Sequence, residues 1–116
     1  MNIFTYLIQN KTIMSLHALS NKELDQVAQT LRAIAHPNRV LIIMLLSRAK
    51  KLSVGEICEK TGFAQPLVSH HLLDMHAKGI LALERDGRNA FYSLADTKTL
   101  RILKIAEDIR PNYDRQ

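Results

Sequence analysis

Apolar residues recur at three- and four-residue intervals over most of this chain and change to strict alternation only once, near residue 80. Ser20-Asn-Lys-Glu23 has the hydroxyl and carboxylate of a capping box, and Leu24, Val27, Ala28, Leu31, Ile34 and Ala35 follow at helical spacing. The pattern predicts a first amphipathic helix that ends at His36-Pro37, because the residue before proline is pushed out of the helical region. Pro37 suits the first turn of a second helix running to Arg48, apolar from Val40 to Leu46 and so buried on most sides. Ser53-Val-Gly-Glu56 is another capping box and opens a short third helix through Thr61, with Gly62 as its left-handed terminator.

A fourth helix is expected from Gln65, with Pro66 in its first turn and Gly79 at its end. Val68, Leu72 and Met75 form its inward stripe, which turns Gln65, Leu67, Ser69, His70, Leu73 and Asp74 outward. Residues 80–84 and 90–94 alternate as two strands around Arg85-Asp86-Gly87-Arg88-Asn89, where Asp-Gly signals a tight hairpin with both central residues at positive φ. Asp96 caps a last helix that ends at Arg110-Pro111. This helix carries two apolar stripes, Leu100/Leu103/Ala106 and Ile102/Ile105/Ile109. Packing on one core uses one stripe, so the second implies a partner surface, most simply the same helix of a second subunit.

The predicted order is ααααββα, a mainly α (α+β) chain with a single domain over 20–110, an N-terminal extension at 1–19 and a tail at 111–116. Two helices joined by a short glycine-containing turn and followed at once by a hairpin make a winged helix-turn-helix. Such a fourth helix fits the major groove of duplex DNA and the hairpin reaches the flanking backbone. The candidate DNA contacts are therefore Gln65, Pro66, Leu67, Ser69 and His70 on the helix, and Arg85, Arg88 and Asn89 on the hairpin, with Arg39 in addition. Arg39 has an alternative role in bonding a helix or loop carbonyl, and Arg85 an alternative in pairing with Glu84 or Asp86. Lys50 and Lys51 read as solvated charge.

Composition adds little to this and contradicts none of it. The 116 residues carry 16 Lys and Arg against 11 Asp and Glu, a net charge of +5 that suits a polyanionic partner without demanding one. A single cysteine, Cys58, excludes an intrachain disulfide and points to a reducing, cytoplasmic setting. The longest apolar run, Val40–Leu46, falls far short of the roughly 20 residues that cross a bilayer. The N-terminus lacks the basic region and cleavage site of a signal peptide, and Met14 is an alternative start to Met1. No nucleophile–base signature, phosphate-cradling glycine loop or paired-carboxylate cluster suggests an enzyme.

Three segments, Ala35-His-Pro-Asn-Arg-Val-Leu41, Gln65-Pro-Leu-Val-Ser-His-His-Leu72 with Lys78-Gly-Ile80, and Asp86-Gly-Arg-Asn-Ala-Phe-Tyr-Ser-Leu94, in this order and spacing resemble the ArsR/SmtB family of bacterial metal- and stress-responsive repressors. The resemblance covers roughly residues 22–108. It implies a winged-helix homodimer joined through its first and last helices and bound to operator DNA until an inducer releases it. Leu24, Val27 and Leu31 would then join Leu100, Leu103, Ala106 and Ile109 at the dimer interface. It also implies an inward-packed, structural role for His71, while Ala64 departs from the family's usual hydroxyl at the helix cap.

The family's two best-known metal sites do not carry over. One needs two thiolates where this chain has Ser53 and Gly55, and the other four ligands where it has Asp96, Lys98, Ile109 and Asn112. His70 and His71 point to different faces of one helix, and His71 and His76 are five apart, so no metal or cofactor is expected. Cys58 reads either as a small buried hydrophobe or as a thiol sensor without a resolving partner in this chain. The inducer is not legible. A rival reading, a winged-helix protein-interaction module without DNA binding, would bind its partner independently of salt.

Overall fold

The computed structural model describes residues 18–111, which form two units, 18–32 and 33–111. Met14, His17, Asn112 and most of the expected extension and tail lie outside the described residues.

The first unit is the greater part of helix α1 (Asn21–Ile34). Its capping box is formed in both directions: the Glu23 amide donates to Ser20 Oγ and the Ser20 amide donates to Glu23 Oε2, each at 3.2 Å. Leu24, Val27 and Leu31, three to four residues apart, form an apolar stripe that is about half exposed.

The second unit starts with the last turn of α1, where Ala33 and Ile34 are buried. His36 then leaves the helical region at φ −146° and caps α2 (Pro37–Arg48), its Nδ1 accepting from the Asn38 amide at 3.1 Å. Ile42, Ile43 and Leu46 point into the core from α2, while Leu41 is exposed, so the helix is less enclosed than its apolar run predicts. A short strand, β1 (Leu52–Ser53), leads into α3 (Val54–Thr61), α4 (Gln65–Ala77), strands β2 (Leu81–Asp86) and β3 (Asn89–Leu94), and α5 (Lys98–Ile109).

The order is therefore ααβααββα, one strand more than the pattern predicts. β1 pairs Leu52 with Tyr92 and Ser53 with Phe91, giving an antiparallel sheet in the order β1-β3-β2. Two residues are too few to show alternation, which is why the sequence conceals this strand. Ser53 still makes the expected capping box with Glu56, at 3.1 and 3.0 Å.

Gly62, at φ +77°, terminates α3 by donating its amide to the Cys58 carbonyl at 2.8 Å, and the chain re-enters a helix three residues later. Half-buried Phe63 packs against the core from this turn. The core joins all the elements of this unit: Ile57 of α3, Val68, Leu72 and Met75 of α4, Leu81 and Tyr92 of the sheet, and Leu103 of α5. The arrangement is a winged helix-turn-helix.

The hairpin differs in detail from expectation. Asp86 pairs with Asn89, so the turn residues are Gly87 and Arg88 rather than Asp86 and Gly87. Gly87 has φ +62° and no described residue other than glycine has a positive φ, which is the pattern of a turn with glycine at its first central position. The first strand consequently runs two residues, and the second one residue, further toward the tip than their alternation shows.

Among the described residues no helix is long and apolar enough to cross a membrane.

Candidate nucleic-acid interface

Helix α4 presents its chemistry on the side opposite the core. Val68, His71, Leu72 and Met75 are buried on one face, and Gln65, Pro66 and His70 are exposed on the other, with Ser69 half-buried at its edge. Leu67 (39% exposed) and Leu73 (58%) also reach solvent, so the outer face mixes hydrogen-bonding groups with apolar ones. That mixture suits base edges, where amide and hydroxyl groups meet donors and acceptors and apolar groups meet the thymine methyl. Helical periodicity puts Leu73 on the outside without marking it as a contact; its exposure adds it to the candidate surface.

The N-terminus of α4 is bare. Ala64 has the extended cap conformation (φ −66°, ψ 144°) and no side-chain hydrogen bond, so the amides of the first turn face outward without an internal acceptor. Pro66 in that turn removes one of the donors that would otherwise be orphaned.

The hairpin follows α4 directly and β2 packs against it. Arg85, Arg88 and Asn89 are all exposed at its tip. Neither arginine makes an ion pair among the described residues. Glu84, a potential partner of Arg85, binds Lys51 Nζ at 3.3 Å instead. The same ammonium lies 4.9 Å from the centre of the Phe91 ring, so Lys51 helps brace the hairpin and is more than solvated charge.

Arg39 is corrected. It is buried and faces the interior, where Nη1 donates to the Ala33 carbonyl at 2.9 Å and to Asp74 Oδ2 at 2.5 Å, and Nε donates to His71 Nδ1 at 2.8 Å. It is no DNA contact. Asp74, expected on the outer face, is turned to this guanidinium and also pairs with Lys78. A buried arginine needs acceptors, and the i, i+3 spacing of His71 and Asp74 is the sign in the sequence that both lie on one side of α4. The hydrogen bonds from Lys78 and then Arg39 lower the Asp74 carboxyl from its ordinary value. Burial, then the neighbouring Arg39 charge, lowers the His71 imidazole.

On α5 the two stripes divide. Leu103 is buried in the protomer's own core, which removes it from the expected dimer contacts, and Leu100 is half-buried. Ala106 and Ile109 are exposed, and Ile102 and Ile105 of the second stripe are exposed beside them. Asp96 accepts from the Lys98 amide at 2.7 Å, but the cap position of α5 is the next residue, Thr97, which makes no side-chain cap hydrogen bond, so Asp96 braces the helix start from just outside it. Cys58 is half-buried against the core, and among the described residues no three His, Cys, Asp or Glu side chains converge as metal ligands.

Comparison with known proteins places this geometry among regulators. Residues 36–82, from the cap of α2 into β2, match the profile of the bacterial regulatory protein arsR family. The chain is 38% identical over 88 residues to the HTH-type transcriptional regulator NmtR of Mycobacterium tuberculosis, spanning 76% of this chain and 72% of that protein. It is 31% identical over 99 residues to the transcriptional repressor PagR of Bacillus anthracis, spanning 85% of this chain and 99% of PagR. The PagR crystal structure superposes with a TM-score of 0.66 over 75% of this chain and 99% of that one. A homodimeric winged helix-turn-helix DNA-binding domain from Mycobacterium bovis, from a possible ArsR-family regulator, superposes with a TM-score of 0.68 at 26% identity, covering 78% of this chain and 86% of that domain.

Proposed function

The chain belongs to the ArsR family of bacterial regulatory proteins, and we propose that it is a homodimeric repressor acting in the cytoplasm, released from its operator by an inducer. The observation that carries this reading is the outer face of α4. Gln65 and His70 stand exposed, with Ser69 half-buried beside them, on a helix of groove-fitting width, followed directly by a hairpin whose two tip arginines make no ion pair among the described residues. In this reading α4 enters the major groove and reads bases with Gln65, Leu67, Ser69 and His70, and the bare first turn at Pro66 approaches a phosphate. Arg85, Arg88 and Asn89 follow the backbone or the adjacent minor groove.

The dimer reading rests on Leu24, Val27 and Leu31 of α1 and on Ile102, Ile105, Ala106 and Ile109 of α5. Ile105 and Ile109 are 60% and 77% exposed, a large apolar cost for a protomer that stayed alone in water. A two-fold pair of α4 helices demands two half-sites about one helical turn apart, so the operator is an imperfect palindrome. The family is one of regulators, and no catalytic role is assigned. The inducer acts elsewhere than at the two familiar metal sites, because Ser53 and Gly55 supply no thiolates and Lys98 and Ile109 no ligands.

Selection of bound fragments from the source genome tests the reading. It should recover short palindromic duplexes, bound with an affinity that falls steeply with salt. Arg88→Ala should weaken binding to every duplex and reduce the salt slope by about one for each phosphate that this side chain neutralises. Recovery of no DNA at low salt, or binding indifferent to salt, refutes it.

A further inference from the structure

Among the described residues, the buried Arg39 guanidinium is the one charged group that reaches from the scaffold into the inner face of α4. It binds two acceptors one turn apart on that helix, His71 Nδ1 at 2.8 Å and Asp74 Oδ2 at 2.5 Å, while a third bond anchors it to the Ala33 carbonyl at 2.9 Å. Lys78 holds the other oxygen of Asp74 from four residues on. The apolar contacts of Val68, Leu72 and Met75 are non-directional and tolerate small rotations of the helix. Two charge-assisted bonds from one rigid, planar group do not. A rotation of roughly 10° would move an atom on the outer surface of a helix, about 5–6 Å from its axis, by about 1 Å. That exceeds the tolerance of a hydrogen bond to a base edge.

The His71 ring is itself specified by this contact. Accepting at Nδ1 puts its proton on Nε2, and that atom is buried with no hydrogen-bond partner among the described residues. The ring therefore serves Arg39 as an acceptor, and protonation would replace the acceptor with a second donor facing a cation. We propose that Arg39 is a positioning residue for operator recognition, fixing the rotation of α4 through Asp74 and through a His71 imidazole that must be neutral to accept it. The inference rests on the reading of α4 as the groove helix.

Every charged or titratable group around the ring bears on its protonation. From the start of α2 these are Arg39 and His36, whose ring centre is 4.7 Å away. From α4 they are His70 and Asp74. Burial and the Arg39 charge dominate and keep the imidazole below its ordinary value near 6.5. A histidine lowered in this way contributes in full above that ordinary value, and its contribution is lost as pH falls through the lowered one. Sequence discrimination should decline in that acid window while the fold persists.

The test measures affinity for the selected operator and for a scrambled duplex of equal length, at fixed salt, from pH 8 to pH 5. Folding is followed by circular dichroism. Arg39→Lys keeps a buried cation but cannot hold both acceptors, and it should reduce the operator-to-scrambled ratio roughly tenfold or more, an effect on the scale of one base pairing with its side chain. Its affinity for scrambled duplex should stay within about twofold of the wild type, since phosphate contacts set that affinity. His71→Asn places an acceptor where Nδ1 stood that does not titrate, so it should retain the ratio at pH 8 and lose the acid decline. His70→Gln should keep the decline. A wild-type ratio in Arg39→Lys overturns the inference, as does an unchanged acid decline in His71→Asn. Should Arg39→Lys fail to fold, His71→Asn decides alone. A wild-type protein that binds both duplexes equally would instead defeat the functional reading itself.

Discussion

Giving α4 the cap it lacks should stabilise the protein and, with the right choice of side chain, report where the DNA backbone lies. Ala64 has nearly the same backbone conformation as Ser53, φ −66° and ψ 144° against φ −77° and ψ 164°. Ser53 Oγ accepts from the amide three residues on at 3.1 Å. In Ala64→Ser the corresponding donor is the Leu67 amide, and Pro66 leaves no competing donor one residue earlier. Replacing a non-capping residue by serine at such a position is worth about 1 kcal/mol. In a domain of this size that raises the melting temperature by roughly 4–8 °C. Ala64→Asp should gain at least as much, through the same bond and a favourable interaction with the helix dipole. The two variants should part company on DNA. Serine offers a hydroxyl to a phosphate, whereas aspartate sets a carboxylate against one, so Ala64→Asp should bind operator more weakly than wild type at low salt. Urea denaturation at fixed protein concentration and titration of labelled operator make the two measurements. Equal midpoints for all three proteins would refute the capping argument. Undiminished binding by Ala64→Asp would show that this helix end does not approach the backbone.

Gly87→Ala should destabilise the protein by roughly 1–2 kcal/mol in urea, purely through strain at φ +62°, since an added Cβ meets nothing within 4 Å. Ile105→Lys combined with Ile109→Lys should yield monomers in analytical ultracentrifugation with the helical spectrum intact; a dimer that survived both substitutions would refute the interface. Glu56, lowered chiefly by the Ser53 amide, and Asp74, lowered by Lys78 and Arg39, each contribute stability that is present above the unfolded carboxylate value and lost as pH falls through the lowered folded one. Glu56→Gln and Asp74→Asn should therefore each flatten the dependence of the unfolding free energy on pH below about pH 4.

The fold is legible in the sequence wherever local chemistry decides it. Both capping boxes, the proline after His36 and the left-handed Gly62 act within a few residues, and helix ends fall within two residues of where these signals put them. The inner stripe of α4 is legible too, because helical periodicity alone separates Val68, Leu72 and Met75 from Gln65 and His70. Interactions across large sequence separations are not. β1 exists because Tyr92 and Phe91 stand opposite Leu52 and Ser53, some 40 residues away. Arg39 changes from a surface cation to a buried bridge because its acceptors lie 32 and 35 residues further on. On α5, periodicity reveals two apolar stripes but not which one the core takes, and Leu103 belongs to the core rather than to the dimer surface where the family resemblance puts it. The choice depends on how α5 leaves the sheet, which no spacing encodes.

These features together describe a helix held from its interior side and left without a side-chain cap at its N-terminus. Its first turn has no side-chain cap, and its outer face carries exposed leucines where a helix built for stability alone would carry solvated charge. The compensation lies beneath it, in the Val68, Leu72 and Met75 contacts and in the three bonds of Arg39. Such a division is what groove reading requires, since any group used to cap or neutralise the outer surface would compete with bases and phosphates for the same donors. Arg39 also grips the Ala33 carbonyl in the last turn of α1, so one guanidinium ties that turn to the inner face of α4.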